Sequence, residues 1–189
     1  CELEKYDSKE LAKKISILKQ SNNINVRLTI KEIVSFGRYP HCEGRLTEED
    51  EKYVNEAIEY MELKDIEDRY LDELSGGQRQ RAYIAMVIAQ NTEYVLLDEP
   101  LNNLDMKHSV SMMKVFRRLV DELGKTVVIV MHDINFASVY SDNIVVLKNG
   151  KLAKDDKTDN IIDKKILEDI YEIDFDIKDI NGNKICIYF

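Results

Sequence analysis

The sequence lacks several features that would assign it to a class at once. Its 189 residues include no tryptophan, two prolines, seven glycines and three cysteines. So few chain breakers favour regular helices and strands over flexible linkers or low-complexity segments. The cysteines, Cys1, Cys42 and Cys186, are odd in number and widely spaced, which fits neither a disulfide framework nor a metal site. We therefore expect a reducing, cytosolic compartment.

Basic residues and long apolar runs are also scarce. The 27 Lys and Arg against 36 Asp and Glu give a formal charge of −9, which argues against the basic face that a nucleic-acid partner needs. No run of apolar residues is long enough to cross a membrane. The mostly charged residues 1–14 do not form a signal peptide, and the absence of an initial Met suggests a processed or truncated chain.

Apolar patterns along the chain predict an α/β fold. Short apolar strands at 94–97 and 127–131 flank a helix at 112–123, which is typical of a parallel sheet with strands buried on both faces. Pro40 predicts a loop at 37–41. The other predicted elements are helices at 8–14, 29–36, 76–89 and 161–171, a helix capped by Thr47 and Asp50 with Val54, Ala57, Ile58 and Met61 on one face, a strand at 15–19 that ends at the polar cluster 20–23, and hairpins at Asn149-Gly150 and Asn181-Gly182.

Two glycines open the helix predicted at 76–89, in the sequence Leu74-Ser75-Gly76-Gly77-Gln78. Glycine lets a ligand approach the backbone closely, and the free N–H groups of a helix start favour an anion such as phosphate. The alternative is a plain Ser75 N-cap followed by a glycine turn.

Two adjacent carboxylates, Asp98 and Glu99, come directly after the apolar strand at 94–97. The carboxyl ends of strands are where α/β sheets bind ligands. Asp98 is a candidate ligand for Mg²⁺, and Glu99 is placed to orient or deprotonate an attacking water. The alternative is a solvated acidic turn before Pro100.

Two further polar residues stand at strand ends. His132 comes directly after the strand at 127–131, where an imidazole is suited to hydrogen-bond a terminal phosphate. Gln20 comes after the first strand, where it is suited to reach a metal or a water. Each residue taken alone is more typical of an ordinary structural or loop position.

These segments together resemble the ATP-binding cassette (ABC) ATPases. Residues 74–78 resemble the family signature, 94–99 its Walker B strand and 101–105 its D-loop, while His132 and Gln20 resemble its switch histidine and Q-loop glutamine. Leu74 and Asp98 are 24 positions apart, and Asp98 and His132 are 34 apart, which agrees with the family spacing. The resemblance covers nearly the whole chain.

The resemblance implies a P-loop NTPase-like parallel sheet with an inserted helical subdomain, incomplete at the N-terminus. It implies ATP and Mg²⁺ as ligands, and four segments: 1–23 with the Q-loop, 24–90 helical, 91–160 catalytic core and 161–189 as a C-terminal helix and hairpin. The implied roles are catalysis by Glu99 and His132, metal binding by Asp98 and Gln20, binding of ATP held by a second subunit through Ser75, Gly76, Gly77 and Gln78, and a dimer contact at Asp105.

Within the family, residues 34–41, Val-Ser-Phe-Gly-Arg-Tyr-Pro-His, resemble a segment of importers of iron–siderophore, haem and cobalamin. The alternative is a buried loop of the helical subdomain. The resemblance implies an ATP-hydrolysing subunit that works as a homodimer or with a second ATPase subunit. Such a subunit acts with transmembrane permease subunits on the inner face of the cell membrane.

One family motif is missing. A phosphate-binding loop, G-x-x-x-x-G-K-S/T, is expected several tens of residues before Gln20, and only 19 residues precede it. Gly124-Lys125-Thr126 is no substitute, because it ends a helix and position 119 is Leu. We expect this chain alone to bind ATP very weakly and not to hydrolyse it. We also expect an incomplete sheet that self-associates.

Two other functions stay open at this stage. The chain could be a non-catalytic module that pairs with an intact ATPase subunit or a permease. It could also belong to the ABC ATPases of DNA repair and chromosome organisation, although the coiled coils and basic surfaces of that class are absent from the sequence.

Overall fold

A three-stranded parallel sheet occupies the first of two units, Cys1–Val130 and Met131–Phe189. The computed structural model describes residues 6–20, 26–42, 44–102 and 104–188. Cys1, positions 21–23 of the polar cluster and Asn103 of the predicted D-loop lie outside the described residues. The fold is the mixed α/β arrangement that the sequence predicts.

The strands of this sheet are β1 (Ile15–Leu18), β2 (Tyr94–Asp98) and β3 (Thr126–Val130), with β2 in the middle. The register aligns Ile17 with Leu96 and Leu96 with Val128. Because side chains alternate along a strand, one face carries the buried residues Leu18, Val95 and Leu97. The sheet thus brings the carboxyl ends of three strands to one edge.

The opposite face of the sheet is open. Ile17, Val128 and Val130 are 58%, 51% and 57% exposed. The prediction that these strands are buried on both faces is therefore wrong for this face, because no described element of the first unit covers it.

Helices fill the chain between β1 and β2. Apolar residues spaced three or four apart lie on one face of each helix, and these faces pack against one another. The buried residues include Ile33, Val54, Ile58 and Ile84. The helices are α2 (Ile30–Phe36), α3 (Tyr39–Cys42), α4 (Glu48–Tyr60) and α5 (Gly76–Ala89), with α1 (Ser8–Ala12) before β1 and α6 (Met106–Asp121) between β2 and β3. Two 3₁₀ turns, Lys64–Ile66 and Leu71–Glu73, connect α4 to α5.

The second unit consists of short helices and two antiparallel hairpins. Its core contains Ile134, Ile162, Leu167, Phe175 and Cys186. The elements are α7 (Ile134–Tyr140), β4 (Asn143–Lys148), β5 (Lys151–Lys157), α8 (Thr158–Ile161), α9 (Lys164–Tyr171), β6 (Phe175–Ile180) and β7 (Asn183–Tyr188).

Both predicted hairpins are present. Asn149 and Gly150 have φ values of 53° and 72°, and Asn181 and Gly182 have 55° and 80°. Two successive left-handed residues are typical of the type I′ turn, whose twist matches that of the flanking strands.

Three local predictions are corrected. The sequence predicts a loop at 37–41, but Tyr39–Cys42 is a helical turn. Pro40 is tolerated there because the backbone N–H groups in the first turn of a helix have no intrahelical partner, so the missing N–H of proline costs no hydrogen bond. The helix predicted at 161–171 begins later, at Lys164, because Asp163 caps it, and Ile161 instead ends the separate short helix α8. The helix predicted at 112–123 begins earlier, at Met106.

No helix within the described ranges has the length and apolar character needed to span a bilayer.

Candidate functional site

The first turn of α5 carries the predicted signature. Ser75 is the N-cap residue, and its Oγ accepts a hydrogen bond from the Gln78 N–H at 3.2 Å. Gln78 Oε1 accepts in return from the Ser75 N–H at 3.0 Å. This capping box fixes where the helix starts, so the N–H groups of Gly76 and Gly77 fall in a first turn that has no partners for them within the helix.

Both glycines leave this helix end bare. A Cβ atom placed on Gly76 would meet nothing within 4 Å, and one on Gly77 would be 3.5 Å from Leu104 Cδ2, an ordinary contact. Neither residue has a left-handed φ. Packing in the described part of the chain therefore does not demand glycine here, whereas close approach of a ligand would.

The carboxylates after β2 are in different surroundings. Asp98 is the last residue of β2 and is exposed. Glu99 is half-buried, has a left-handed φ of 46°, and donates its backbone N–H to Val130 O at 3.0 Å. The left-handed turn reverses the chain directly after the strand, and this is a strained conformation for a residue with a side chain.

Two amides hold the Glu99 carboxylate. Gln20 Nε2 donates to Glu99 Oε2 at 2.6 Å, and Asn102 Nδ2 donates to the same oxygen. The structure therefore brings together the ends of β1 and β2, as the predicted site requires. Asn102 lies in the predicted D-loop, but its contact with Glu99 was not predicted. Its position three residues after Glu99, within a turn, was the available signal.

Gln80 links α5 to the same turn, and sequence reasoning also missed it. Its Nε2 donates to Pro100 O at 2.9 Å. Helix α5 and the chain after β2 are thus joined directly, one residue beyond Glu99.

The opposite end of α5 is held by residues of the 34–41 segment. Arg38 is buried, and its Nε donates to Asp50 Oδ1 at 2.8 Å while its Nη1 donates to Ala89 O at 2.9 Å. Gly37 packs against the α5 backbone so closely that a Cβ atom would lie 2.1 Å from Met86 O. The segment is therefore a structural clamp on the C-terminal end of α5.

Asp50 also belongs to the predicted capping box of α4. Burial by itself raises the pKa of Asp50, but hydrogen bonds from the Thr47 N–H and hydroxyl and from Arg38 outweigh it and lower that pKa. Asp50 is thereby kept ionised, as the counter-charge of a buried guanidinium.

Gln90 connects this clamp to the sheet. Its carbonyl oxygen is 3.3 Å from Arg38 Nη1 and 3.0 Å from His41 Nε2. Its side-chain Nε2 donates to Ala12 O at 2.5 Å and to Ile15 O at 3.3 Å. Burial and the neighbouring Arg38 lower the pKa of His41, against the raising effect of its bond to Gln90.

Asp105 is the N-cap residue of α6. Its carboxylate accepts from the His108 N–H at 2.9 Å and lies 2.8 Å from His108 Nδ1. These hydrogen bonds lower the pKa of Asp105. The residue is exposed, so the dimer contact predicted for it stays a prediction.

His132 belongs to the second unit, where its imidazole is exposed and Asp133 after it caps α7. Its role at a phosphate stays a prediction. Gly124, predicted to end a helix, has a φ of 62° between α6 and β3, so Gly124-Lys125-Thr126 is not a phosphate loop.

In the part of the chain that the structure describes, no three His, Cys, Asp or Glu side chains cluster closely enough to hold a metal ion by themselves. Asp98 together with the Gln20 amide oxygen offers only oxygen donors. Such a set suits Mg²⁺, which proteins bind through one or two carboxylates while phosphate oxygens and water complete its shell.

Comparison with known proteins identifies the family. The family model for ABC transporters matches residues 2–102. The chain belongs to the ABC transporter family. The petrobactin import ATP-binding protein YclP of Bacillus subtilis is 64% identical over 183 residues, covering 97% of this chain and 73% of the relative. FatE of Bacillus anthracis, also a petrobactin import ATP-binding protein, is 51% identical over 96% of this chain and 72% of its own length.

Solved structures agree with this assignment. A putative metal-chelate type ABC transporter in an inward-facing conformation superposes with a TM-score of 0.85 at 23% identity, covering 93% of this chain and 73% of that one, which supports the fold. The dimeric ABC transporter cassette MJ0796 superposes with a TM-score of 0.70 at 34% identity, covering 82% and 69%. The predicted ABC ATPase family and P-loop NTPase fold are confirmed.

Proposed function

We propose that this chain functions as the ATP-binding and ATP-hydrolysing subunit of an ABC importer whose cargo is an iron–siderophore chelate of the petrobactin kind, and that alone, without the phosphate-binding loop, it binds ATP very weakly and does not hydrolyse it. The observation that carries the proposal is the hydrogen bond from Gln20 to Glu99, which joins the ends of β1 and β2 around one carboxylate. The cargo is suggested by the names of the relatives at 64% and 51% identity.

In this proposal Glu99 orients the attacking water and accepts its proton at Oε1 or Oε2. The amides of Gln20 and Asn102 keep that carboxylate in one position. Asp98 and the Gln20 oxygen would hold Mg²⁺, which supplies charge neutralisation for the phosphates when bound. His132 would donate a hydrogen bond to the terminal phosphate.

The start of α5 would face a nucleotide held by a second ATPase subunit, in a homodimer or a pair. The N–H groups of Gly76 and Gly77 would bind a phosphate oxygen, with the Ser75 hydroxyl and Gln78 amide beside them. The bareness of both glycines supports this role. Asp105 would lie at the contact between the two subunits.

The other partners would be the transmembrane permease subunits, with the ATPase bound peripherally on the inner face of the membrane. We place the four functional segments at 1–23, 24–90, 91–160 and 161–189. Exposed aromatic side chains at Phe36 and Tyr39, 53% and 58% exposed, support a docking surface on the helical segment.

The test is iron uptake in the organism that carries the gene. Deleting the gene should abolish uptake of ⁵⁵Fe supplied as ferric petrobactin, and an unaltered copy should restore it. A copy with Glu99→Gln should restore uptake at a rate lower by roughly 10²-fold or more, since loss of a general base has that effect. Glu59→Gln, which neutralises an exposed carboxylate on α4, is the matched control and should restore full uptake.

The outcomes separate the candidate functions. Normal ferric petrobactin uptake after deletion would exclude this cargo. Full restoration by Glu99→Gln, at equal protein level, would exclude a catalytic role and favour the non-catalytic module that pairs with an intact ATPase.

A further inference from the structure

The chain turns sharply after β2, and helix α5 holds this turn from one side. Gln80 Nε2 donates a hydrogen bond to Pro100 O at 2.9 Å, and Pro100 is buried. Gly77 lies on the same face of α5, because residues three positions apart are neighbours on a helix. A Cβ atom on Gly77 would be 3.5 Å from Leu104 Cδ2, so the Leu104 side chain lies close to this face. One face of α5 thus meets the turn through a polar and an apolar contact.

Glu99 begins this turn in a conformation that residues with a side chain rarely adopt. Its φ of 46° is left-handed, and such a conformation persists only where the surrounding structure fixes it. Its N–H donates to Val130 O at 3.0 Å, and its carbonyl oxygen accepts from the Asn102 N–H at 3.2 Å. The hydrogen bond from Gln80 to Pro100 O holds the next residue of the turn. Gln80 is therefore one of the supports of the Glu99 conformation.

The backbone conformation at Glu99 decides where its carboxylate lies. Asn102, which donates to Glu99 Oε2, belongs to the turn itself, so a shift of the turn would move donor and acceptor together. Gln20, which donates to the same oxygen at 2.6 Å, stands at the end of β1 and would stay behind. A turn released from α5 would therefore lengthen or break the hydrogen bond from Gln20.

We propose that Gln80 is a positioning residue for Glu99. It holds the turn against α5, so that the strained backbone of Glu99 keeps its carboxylate on the Gln20 amide. Its part in ATP hydrolysis rests on the function proposed above, in which Glu99 orients and deprotonates the attacking water. If Gln80 only satisfied a buried carbonyl oxygen, its loss would lower stability and leave the Glu99 carboxylate in place.

The side-chain amide signals in ¹H–¹⁵N NMR spectra of the chain test the position of this carboxylate without a nucleotide. Gln80→Met keeps the length and the helix preference of the side chain but has no N–H to donate. In this variant the Gln20 amide should shift toward the signals of unbonded amides, and its protons should exchange with water several-fold faster. Gln80→His, whose Nε2–H has a similar reach, should return the signal toward that of the unaltered chain.

Val87→Ala is the matched structural control on the same helix. Val87 is 2% exposed and lies roughly 10 Å from Gln80 along α5, at about 1.5 Å per residue. Loss of its methyl groups from the core should lower the urea midpoint by more than Gln80→Met does, yet leave the Gln20 signal in place. An unmoved Gln20 signal in Gln80→Met, or an equal displacement in Val87→Ala, would overturn the proposal.

The ⁵⁵Fe uptake assay tests whether this positioning matters for the reaction. At equal protein level, Gln80→Met should restore uptake at a rate roughly 10-fold lower than the unaltered gene. Gln80→His should recover most of that loss, and Val87→Ala should restore full uptake. Full uptake with Gln80→Met would overturn the role of Gln80 in the reaction. Full uptake with Glu99→Gln would instead overturn the proposed function, and the Gln20 signal would still decide whether Gln80 positions the carboxylate.

Discussion

Gln20 donates a hydrogen bond to Glu99 across 2.6 Å, although 79 positions separate them in the chain. The parallel pairing of β1 with β2 makes this contact possible, because it aligns Leu18 with Leu97 and so places the residues after each strand at the same edge. Gln20, which precedes the helical segment in the chain, thus positions the carboxylate of Glu99, which follows that segment.

Replacing Gln20 by Ala should weaken the proposed transport function without disturbing the fold. Glu99 would keep Asn102 as a partner but lose the amide that fixes its carboxylate from β1. We expect the initial rate of uptake of the ferric chelate to fall roughly 10- to 100-fold, which is the usual effect of removing a residue that orients a functional side chain through a hydrogen bond. Asn55→Ala on α4 is the control, and an uptake rate equal in both strains would contradict the role of Gln20.

The buried pair of Arg38 and Asp50 should be the most sensitive point of the helical segment. Both side chains are 6% exposed, so Arg38→Met leaves a carboxylate buried without its cation. We expect a loss of about 3–5 kcal/mol in the free energy of unfolding. The measurement is urea unfolding followed by far-UV circular dichroism.

Two further variants test the cause of that loss. Arg38→Met combined with Asp50→Leu should recover part of the stability, because no charge then remains buried, although α4 loses its cap. Lys52→Met on the exposed side of α4 should change stability by less than about 0.5 kcal/mol. A loss in the double variant equal to that of Arg38→Met alone would show that charge burial is not the cause.

Gly37→Ala should be destabilising for steric reasons alone. The residue has a φ of −57°, which any amino acid adopts, but the new methyl group would lie 2.1 Å from Met86 O. We expect a cost of about 1–3 kcal/mol or more from overpacking against α5. Gly76→Ala, with open space at the same atom, should change stability by less than about 1 kcal/mol in the same urea assay. Equal midpoints for the two variants would refute the close-approach argument.

His41 should make the chain more sensitive to mild acid. Its pKa in the folded chain lies below the ordinary 6.5, so the unfolded chain binds a proton first and stability falls as the pH drops below about 6.5. The effect is modest because the side chain is exposed. His41→Gln should reduce the difference between urea midpoints at pH 7.5 and pH 5.5. A pH difference unchanged by His41→Gln would contradict this assignment.

Local sequence signals located most of the regular structure. The capping box predicted at Thr47 and Asp50 set the start of α4 correctly, because it depends on two residues only three positions apart. The two Asn-Gly pairs located both hairpins, because adjacent residues that adopt left-handed φ values form a two-residue turn. Asp163 is an N-cap residue without the reciprocal hydrogen bond of a capping box, so it is a weaker sequence signal. The helix that it begins was therefore predicted as part of a longer helix at 161–171.

The long-range contacts could not be found in this way. Gln80, Gln90 and Asn102 make hydrogen bonds to main-chain or carboxylate oxygens that their own segments do not predict. Arg38 is buried because it contacts Asp50 and the end of α5, and no periodic pattern in the sequence predicts that contact. The exposure of one face of the sheet likewise could not be predicted, because a short, continuous apolar run does not show whether one or both faces of its strand are covered.

Gln90 bonds in two directions at once, with its carbonyl toward Arg38 and His41 and its side chain toward Ala12 and Ile15. Any turning of the helices against the strands that preserves these bonds must pivot near this residue. The start of α5 lies at the other end of this helix, about 20 Å from Gln90 at roughly 1.5 Å per residue. A rotation of a few degrees at Gln90 would therefore displace the two bare glycines by an ångström or more.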